Sequence, residues 1–187
     1  GPPDITARLL AEKFQASLGQ PVIVENVLGA GGNIASARFA KSEPDGYTLY
    51  LAGNGSMVIN PSLYEKLPYD PQKDMAPISQ VVTWPNILAV SNDLPVKTVH
   101  ELAALARAKP DELTYGHSGV GISTHLAAEQ FKQMARLAIR PVGYTGGINA
   151  MPDVIAGRVS MCFCAFANVM ELAKDGKVRA LAVTSLE

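Results

Sequence analysis

Between Thr114 and Phe131 the run TYGHSGVGISTHLAAEQF sets a strand-like segment, a glycine-rich turn and a hydroxyl-rich helix start in immediate succession. A helix start has free backbone N–H groups and the positive end of the helix dipole, so it favours negative charge. Ser123 and Thr124 add hydroxyls that either donate to an anion or cap the helix itself. Gly119 and Gly121, on either side of Val120, let the backbone come close to a ligand. His125, in the third or fourth position of the helix, is placed to pack, to bond a neighbouring loop or to touch a ligand. The chemistry this suits is the holding of a small acid, and its plain alternative is an ordinary capped helix after a tight turn.

A second stretch of the same kind opens the chain. In GPPDITARLLAEKF, Asp4 or Thr6 is positioned to cap a helix whose apolar residues Ile5, Leu9, Leu10, Phe14 and Leu18 share one face. Two such openings facing one cleft would clamp a small acid. A third candidate is Asn54, Gly55 and Ser56, directly after the strand-like YTLYLAG, where open α/β sheets put ligand-facing loops; a surface turn explains them equally well.

Other chemistries find little support. LGAGGNIASA would need a glycine at Ile34 to read G-x-G-x-x-G. The three histidines, His100, His117 and His125, have no helical metal-pair spacing, and no serine lies in G-x-S-x-G. Cys162 and Cys164 would point to one face of a strand, match neither a redox C-x-x-C nor a zinc pattern, and read as small buried apolar groups. We therefore expect no metal, no cofactor and no catalysis.

The elements that must carry these residues follow from pattern. With 187 residues, 48% hydrophobic, the chain has enough apolar content for a core. A net charge of −1 without a basic stripe argues against nucleic acid, and no apolar run reaches the roughly 20 residues of a membrane span. Helix, strand (PVIVENVLG), polar helix and strand (YTLYLAG) are expected in the first half, then a proline- and tyrosine-rich loop from Asn60 to Asp74. Past it, MAPISQVVTWPNILAVSND is extended and is interrupted at Pro85. From Thr98 helix and strand alternate regularly through VHELAALARA, LTYGHS, STHLAAEQFKQMA, IRPVGY, INAMPDVIAG, VSMCFCAF, NVMELAKDG and VRALAVTS, which predicts a mostly parallel sheet flanked by helices. Asn92 to Pro95 reads as the lobe boundary, and both ends of the chain read as cut.

Longer segments carry a resemblance: DITARLLAEKF, LGQPVIVEN with GAGGNIASARFAKSEPDGYTL, INPSLYEKLPYDPQKDMAPIS, ELAALARAKPDELTYGHSG, THLAAEQFK and GKVRALAVTS, in this order. Nearly end to end, the chain resembles the substrate-binding proteins of tripartite tricarboxylate transporters, the Bug or TctC family of periplasmic receptors. The resemblance implies an α/β, type II periplasmic-binding-protein-like fold, with residues 1–92 as an incomplete first lobe lacking its first strand and closing segment. Residues 93–187 would be the second lobe, ending in the return crossover strand. It also implies a small carboxylate held between lobes and handed to a membrane permease, without catalysis, cofactor or direct membrane insertion.

Carried over, the ligand contacts would be the end of a first loop at Asp4; Asn54, Gly55 and Ser56; Ser118, Gly119, Val120, Gly121, Ser123, Thr124 and His125; and the strand end at Cys164. The sequence departs from the family at Ile122, Thr145, Ser160 and Cys164. A thiol where an acid is common leaves an acceptor-poor wall, so the expected ligand is a di- or tricarboxylate or an aromatic acid without an amine. The rival readings are a ligand-sensing module of the same fold, an enzyme on that scaffold, or a remnant that does not bind. Unpaired strand edges in the first lobe would invite association.

Overall fold

The computed structural model describes residues 2–185. The chain forms two compact units, Gly1–Pro77 and Ile78–Glu187. The expected boundary at 92/93 falls inside the second unit, because Asn86–Val90 lies in that unit's sheet, hydrogen-bonded to strands late in the chain.

In the second unit the elements run β1 (Asn86–Val90), α4 (Val99–Ala108), β2 (Thr114–His117), α5 (Ser123–Ala135), β3 (Arg140–Gly143), α6 (Gly147–Ile155), β4 (Met161–Ala165), α7 (Phe166–Lys174) and β5 (Arg179–Val183). They form one sheet in the order β3-β2-β4-β1-β5. β2 pairs parallel with β3 and β4, whereas β1 runs against β4 and β5. Four strands thus share one direction, as the alternating pattern predicts, and β1 opposes them.

Period-two alternation sends the side chains of β1 and β4 to opposite faces. Leu88, Val90, Met161 and Phe163 pack with Leu102, Ala106, Tyr115 and Ala128 on the face covered by α4 and α5. Ile87, Ala89, Cys162 and Cys164 pack with Met151, Val154 and Val169 of α6 and α7 on the other. Both faces are covered, so these strands read as nearly continuous apolar runs. The two cysteines are free and buried, on one face as their spacing requires.

α4 begins at the end of β1, hence at the opposite end of the sheet from the helices that follow β2, β3 and β4. It is closed by its own side chains: Thr98 Oγ1 accepts from the Glu101 amide at 3.2 Å, and Glu101 Oε2 accepts from the Thr98 amide at 3.2 Å. Thr98→Ala should lower this unit's stability by about 1 kcal/mol, read as a lower urea midpoint at an unchanged slope.

The first unit departs from expectation. It holds α1 (Pro2–Leu18), a 3₁₀ turn (Ala30–Gly32), α2 (Asn33–Phe39), a π-type turn (Gly55–Ile59) and α3 (Asn60–Leu63). The strands expected in PVIVENVLG and YTLYLAG are extended but unladdered, because no described segment pairs with either of them. Their alternation survives: Val22 and Val24 line a groove with Arg8, Ala11, Glu12 and Gln15, while Ile23 is 90% exposed. The apolar face of α1 is likewise largely uncovered, with only Ala11 buried. A buried polar knot organises the rest of the unit. Asn33 Oδ1 accepts from Asn60 Nδ2 at 2.6 Å and from the Tyr69 hydroxyl at 2.7 Å.

Candidate functional site

Three parallel strands, β2, β4 and β3, end at the same edge of the sheet, and each is followed by a helix. α5 starts at an Ile122 N-cap, α6 at Gly146 and α7 at Ala165, and none of the three receives a side-chain cap. The first two N–H groups of each start have no intrahelical partner, whereas the third in α5 and in α6, on His125 and Asn149, turns back to the carbonyl of Ile122 and of Gly146 at 3.0 Å. The contrast with the boxed start of α4 at the far end is direct. Three helix dipoles present their positive ends together, with no lysine or arginine in the connecting loops 117–124, 144–149 and 165–169. No aspartate or glutamate lies in these loops either.

The three starts meet in space. A β-carbon built on Gly147, the first residue of α6, would stand 3.5 Å from Asn168 Nδ2 on α7 and 3.9 Å from Ser118 Cβ after β2. Ser118 Oγ and Thr124 Oγ1 lie 2.8 Å apart and share a hydrogen bond across the base of the β2–α5 loop. Thr124 is therefore a brace and not a cap, and Ser123 does not cap either. Gly119 and Gly121 take φ of 136° and 80°, values side chains rarely adopt, so the close backbone approach expected of them is built in. The Gly119 N–H, however, turns inward and donates to His117 Nδ1 at 3.2 Å. Val120, between them, is 51% exposed at the loop tip.

His125 lies behind this loop, its ring 4.8 Å from that of His117 and 6.4 Å from that of Tyr115. Its Nδ1 is buried without a hydrogen-bond partner. Burial, and then the neighbouring His117, hold its pKa below the ordinary histidine value. The unfolded chain takes up that proton first, so the stability from neutral His125 is present above the unfolded value of about 6.5 and is lost as pH falls from there through the lower folded value. Further along α5, burial and then the hydrogen bond to Glu129 push the Tyr115 hydroxyl up. Burial also acts to raise Glu129, but hydrogen bonds from Lys132 and Tyr115 outweigh it and the carboxyl ends lowered.

Cys164, at the end of β4, is 1% exposed, with its thiol 3.9 Å beneath the Gly147 carbonyl. The structure thus brings Ser118, Gly119, Val120, Gly121, Ser123 and Thr124 to one edge, with His125 and Cys164 as packed support. Gly146, Gly147 and Asn168 join them without having been singled out in the sequence. The run YTGGI repeats the strand-glycine-helix pattern of the β2–α5 loop and was a readable signal; nothing local marks Asn168.

The candidates in the first unit are differently engaged. Asp4 stands in the first turn of α1, not at the end of a loop, because the helix already begins at Pro2. Its carboxylate accepts from Asn26 Nδ2 at 2.6 Å and from Arg8 Nε at 3.1 Å, which hold its pKa below the usual range. Asn54, Gly55 and Ser56 lead a helical turn where a post-strand loop was expected. Asn54 is exposed, Gly55 is buried, and Ser56 is 2% exposed with its hydroxyl 3.4 Å from that of Tyr50.

Uncapped helix starts converging at the ends of parallel strands are the place where an open α/β fold has donors to offer a small anion. The chain belongs to the family described as the tripartite tricarboxylate transporter family receptor, TctC, which residues 6–187 match. It is 36% identical to the protein BugT of Bordetella pertussis over 186 residues, 99% of this chain and 57% of that one. Among solved structures it is similar to R. palustris Rpa4515 with adipate, with a TM-score of 0.94 and 36% identity over 98% of this chain and 62% of that one. It is also similar to MatC from Rhodopseudomonas palustris with bound malate, with a TM-score of 0.91 and 30% identity over 100% of this chain and 64% of that one. The chain spans about half the length of the curated relatives it matches, 54% and 55% of two of them.

Proposed function

We propose that the chain is the ligand-binding portion of a periplasmic receptor. It captures a small carboxylate at the open starts of α5, α6 and α7 and delivers it to the membrane permease of a tripartite tricarboxylate-type transporter. The observation that carries this is the convergence of three helix starts without side-chain caps on Ser118, Gly147 and Asn168. Backbone amides and hydroxyls there supply donors for one carboxylate, and no catalytic step is involved. The acids named with the two solved relatives support the choice of ligand class.

The same loops hold no acidic residue, and the strand end is the buried thiol of Cys164. An ammonium group seated there would lack an ionic partner, so the ligand is an amine-free acid. Thermal shift against mono-, di- and tricarboxylates, aromatic acids and acidic amino acids tests this. A ligand at a hundredfold excess over Kd should add about 2.7 kcal/mol to stability. A rise confined to amine-free acids is expected; tight binding of glutamate or aspartate with their amine-free analogues inert would overturn the ligand class. A cooperative melt that no acid moves would overturn the receptor reading.

A further inference from the structure

His117 is the last residue of β2 and only 6% exposed, immediately before the loop that carries the proposed anion donors. Its Nδ1 accepts the Gly119 N–H at 3.2 Å, an imidazole doing what an Asx side chain does in a turn. The ring is wedged in place. His125 covers it at 4.8 Å between centroids and Tyr115 at 5.7 Å, and on the β3 side a β-carbon at Gly143 would stand 3.5 Å from its Cε1. To accept this hydrogen bond Nδ1 must carry no proton, an arrangement that puts the imidazole's one hydrogen on Nε2.

We propose that His117 is the positioning residue of the β2–α5 loop: neutral, it pins the Gly119 amide and with it the path of the loop, and its protonation releases the loop and weakens acid binding. This rests on the carboxylate reading above. Protonation places a hydrogen on Nδ1 directly against the Gly119 N–H, two donors face to face, and that contact must open.

The groups facing the ring from the elements packed around it offer no free compensating charge. On β2 itself, Tyr115 is a neutral hydroxyl bonded to Glu129. On α5, His125 is a second base held toward its neutral form, and Glu129 is already paired with Lys132 at 2.7 Å. On the β3 side, Gly143 brings no charge, and the following Tyr144 is bonded to Asp153 of α6, itself paired with Arg158. A new imidazolium would attract the ligand, but Nδ1 faces the amide, so loss of the pinned loop dominates.

The test compares wild type with His117→Asn, whose Oδ1 can accept the same amide without titrating. Adipate and benzoate binding is measured by calorimetry from pH 8 to 5.5, with circular dichroism confirming the fold at each pH. Wild type should lose about tenfold more affinity than the variant over this range, the worth of one ordinary hydrogen bond. Protonation of the acids themselves cancels in the comparison. Equal pH profiles, or tighter wild-type binding in acid, would overturn the proposal.

A readout without ligand keeps the two ideas separate. Nitrogen-15 spectra of the imidazoles at pH 7.5 should show the Nε2–H tautomer for His117, with the Gly119 amide shift following the His117 titration. An Nδ1–H tautomer or a cation at that pH overturns the proposal even if acids bind. If wild type binds neither acid at pH 8, the carboxylate reading is what fails for these probes. The proposal that rests on it then falls as a statement about binding, and the spectrum alone decides whether His117 pins the loop.

Discussion

Gly147→Asp is expected to abolish carboxylate binding while leaving the protein as stable as before or more so. Gly147 opens α6 with backbone angles open to any residue, and its β-carbon would project toward Asn168 and Ser118. An aspartate there would place its own carboxylate beside the proposed anion seat without filling it. Two like charges about 4 Å apart near a protein surface repel by about 4 kcal/mol, so a loss of at least ~100-fold in affinity is expected. The helix gains instead: an acid in its first turn complements the dipole by about 0.3–1 kcal/mol. Calorimetry and thermal melts on the same sample read the two signs. Gly147→Asn, similar in size and uncharged, should retain most of the affinity. Unaltered binding in the aspartate variant would move the anion seat away from α6.

The second large effect is on packing. Gly116 lies in the middle of β2, and a β-carbon there would stand 2.9 Å from the β-carbon of Ala150 on α6. Neither atom can rotate away, because both are fixed to backbone. Gly116→Ala must push α6 off the sheet and should cost about 1–3 kcal/mol, typical of overpacking. Since β2 carries Ser118 and α6 carries Gly147, the same displacement should weaken acid binding. Ala150→Gly alone costs about 1 kcal/mol as a helix glycine, but in the double variant it removes the clash. The double variant is therefore expected to be more stable than the sum of the single changes predicts, by a coupling of about 0.5–3 kcal/mol measured in urea. Strict additivity would show that the strand–helix contact is not what holds this spacing.

The second unit was largely legible in advance. The apolar periods and turn glycines after Thr98 placed every helix and strand of that alternation, and α5 spans the predicted Ser123–Ala135. The antiparallel sense of β1 was not legible, since an apolar run buried on both faces carries no mark of direction. In the first unit, PVIVENVLG and YTLYLAG have the composition of strands without a ladder. Strand character belongs to a segment, whereas a strand exists only through the backbone groups of a neighbour.

The candidate site divides in the same way. Sequence by itself determined that the segments around Ser118–Thr124 and Gly146–Gly147 turn from strand into helix, because glycine conformation and hydrophobic period act over a few residues. Only the tertiary structure decided that Thr124 braces Ser118, that the Gly119 amide is spent on His117, that Ser56 bonds Tyr50, and that Asn168 joins Gly147. A hydroxyl, an amide or an imidazole has several partners open to it, and which one it takes depends on segments far apart in the chain that come together only when the core is packed.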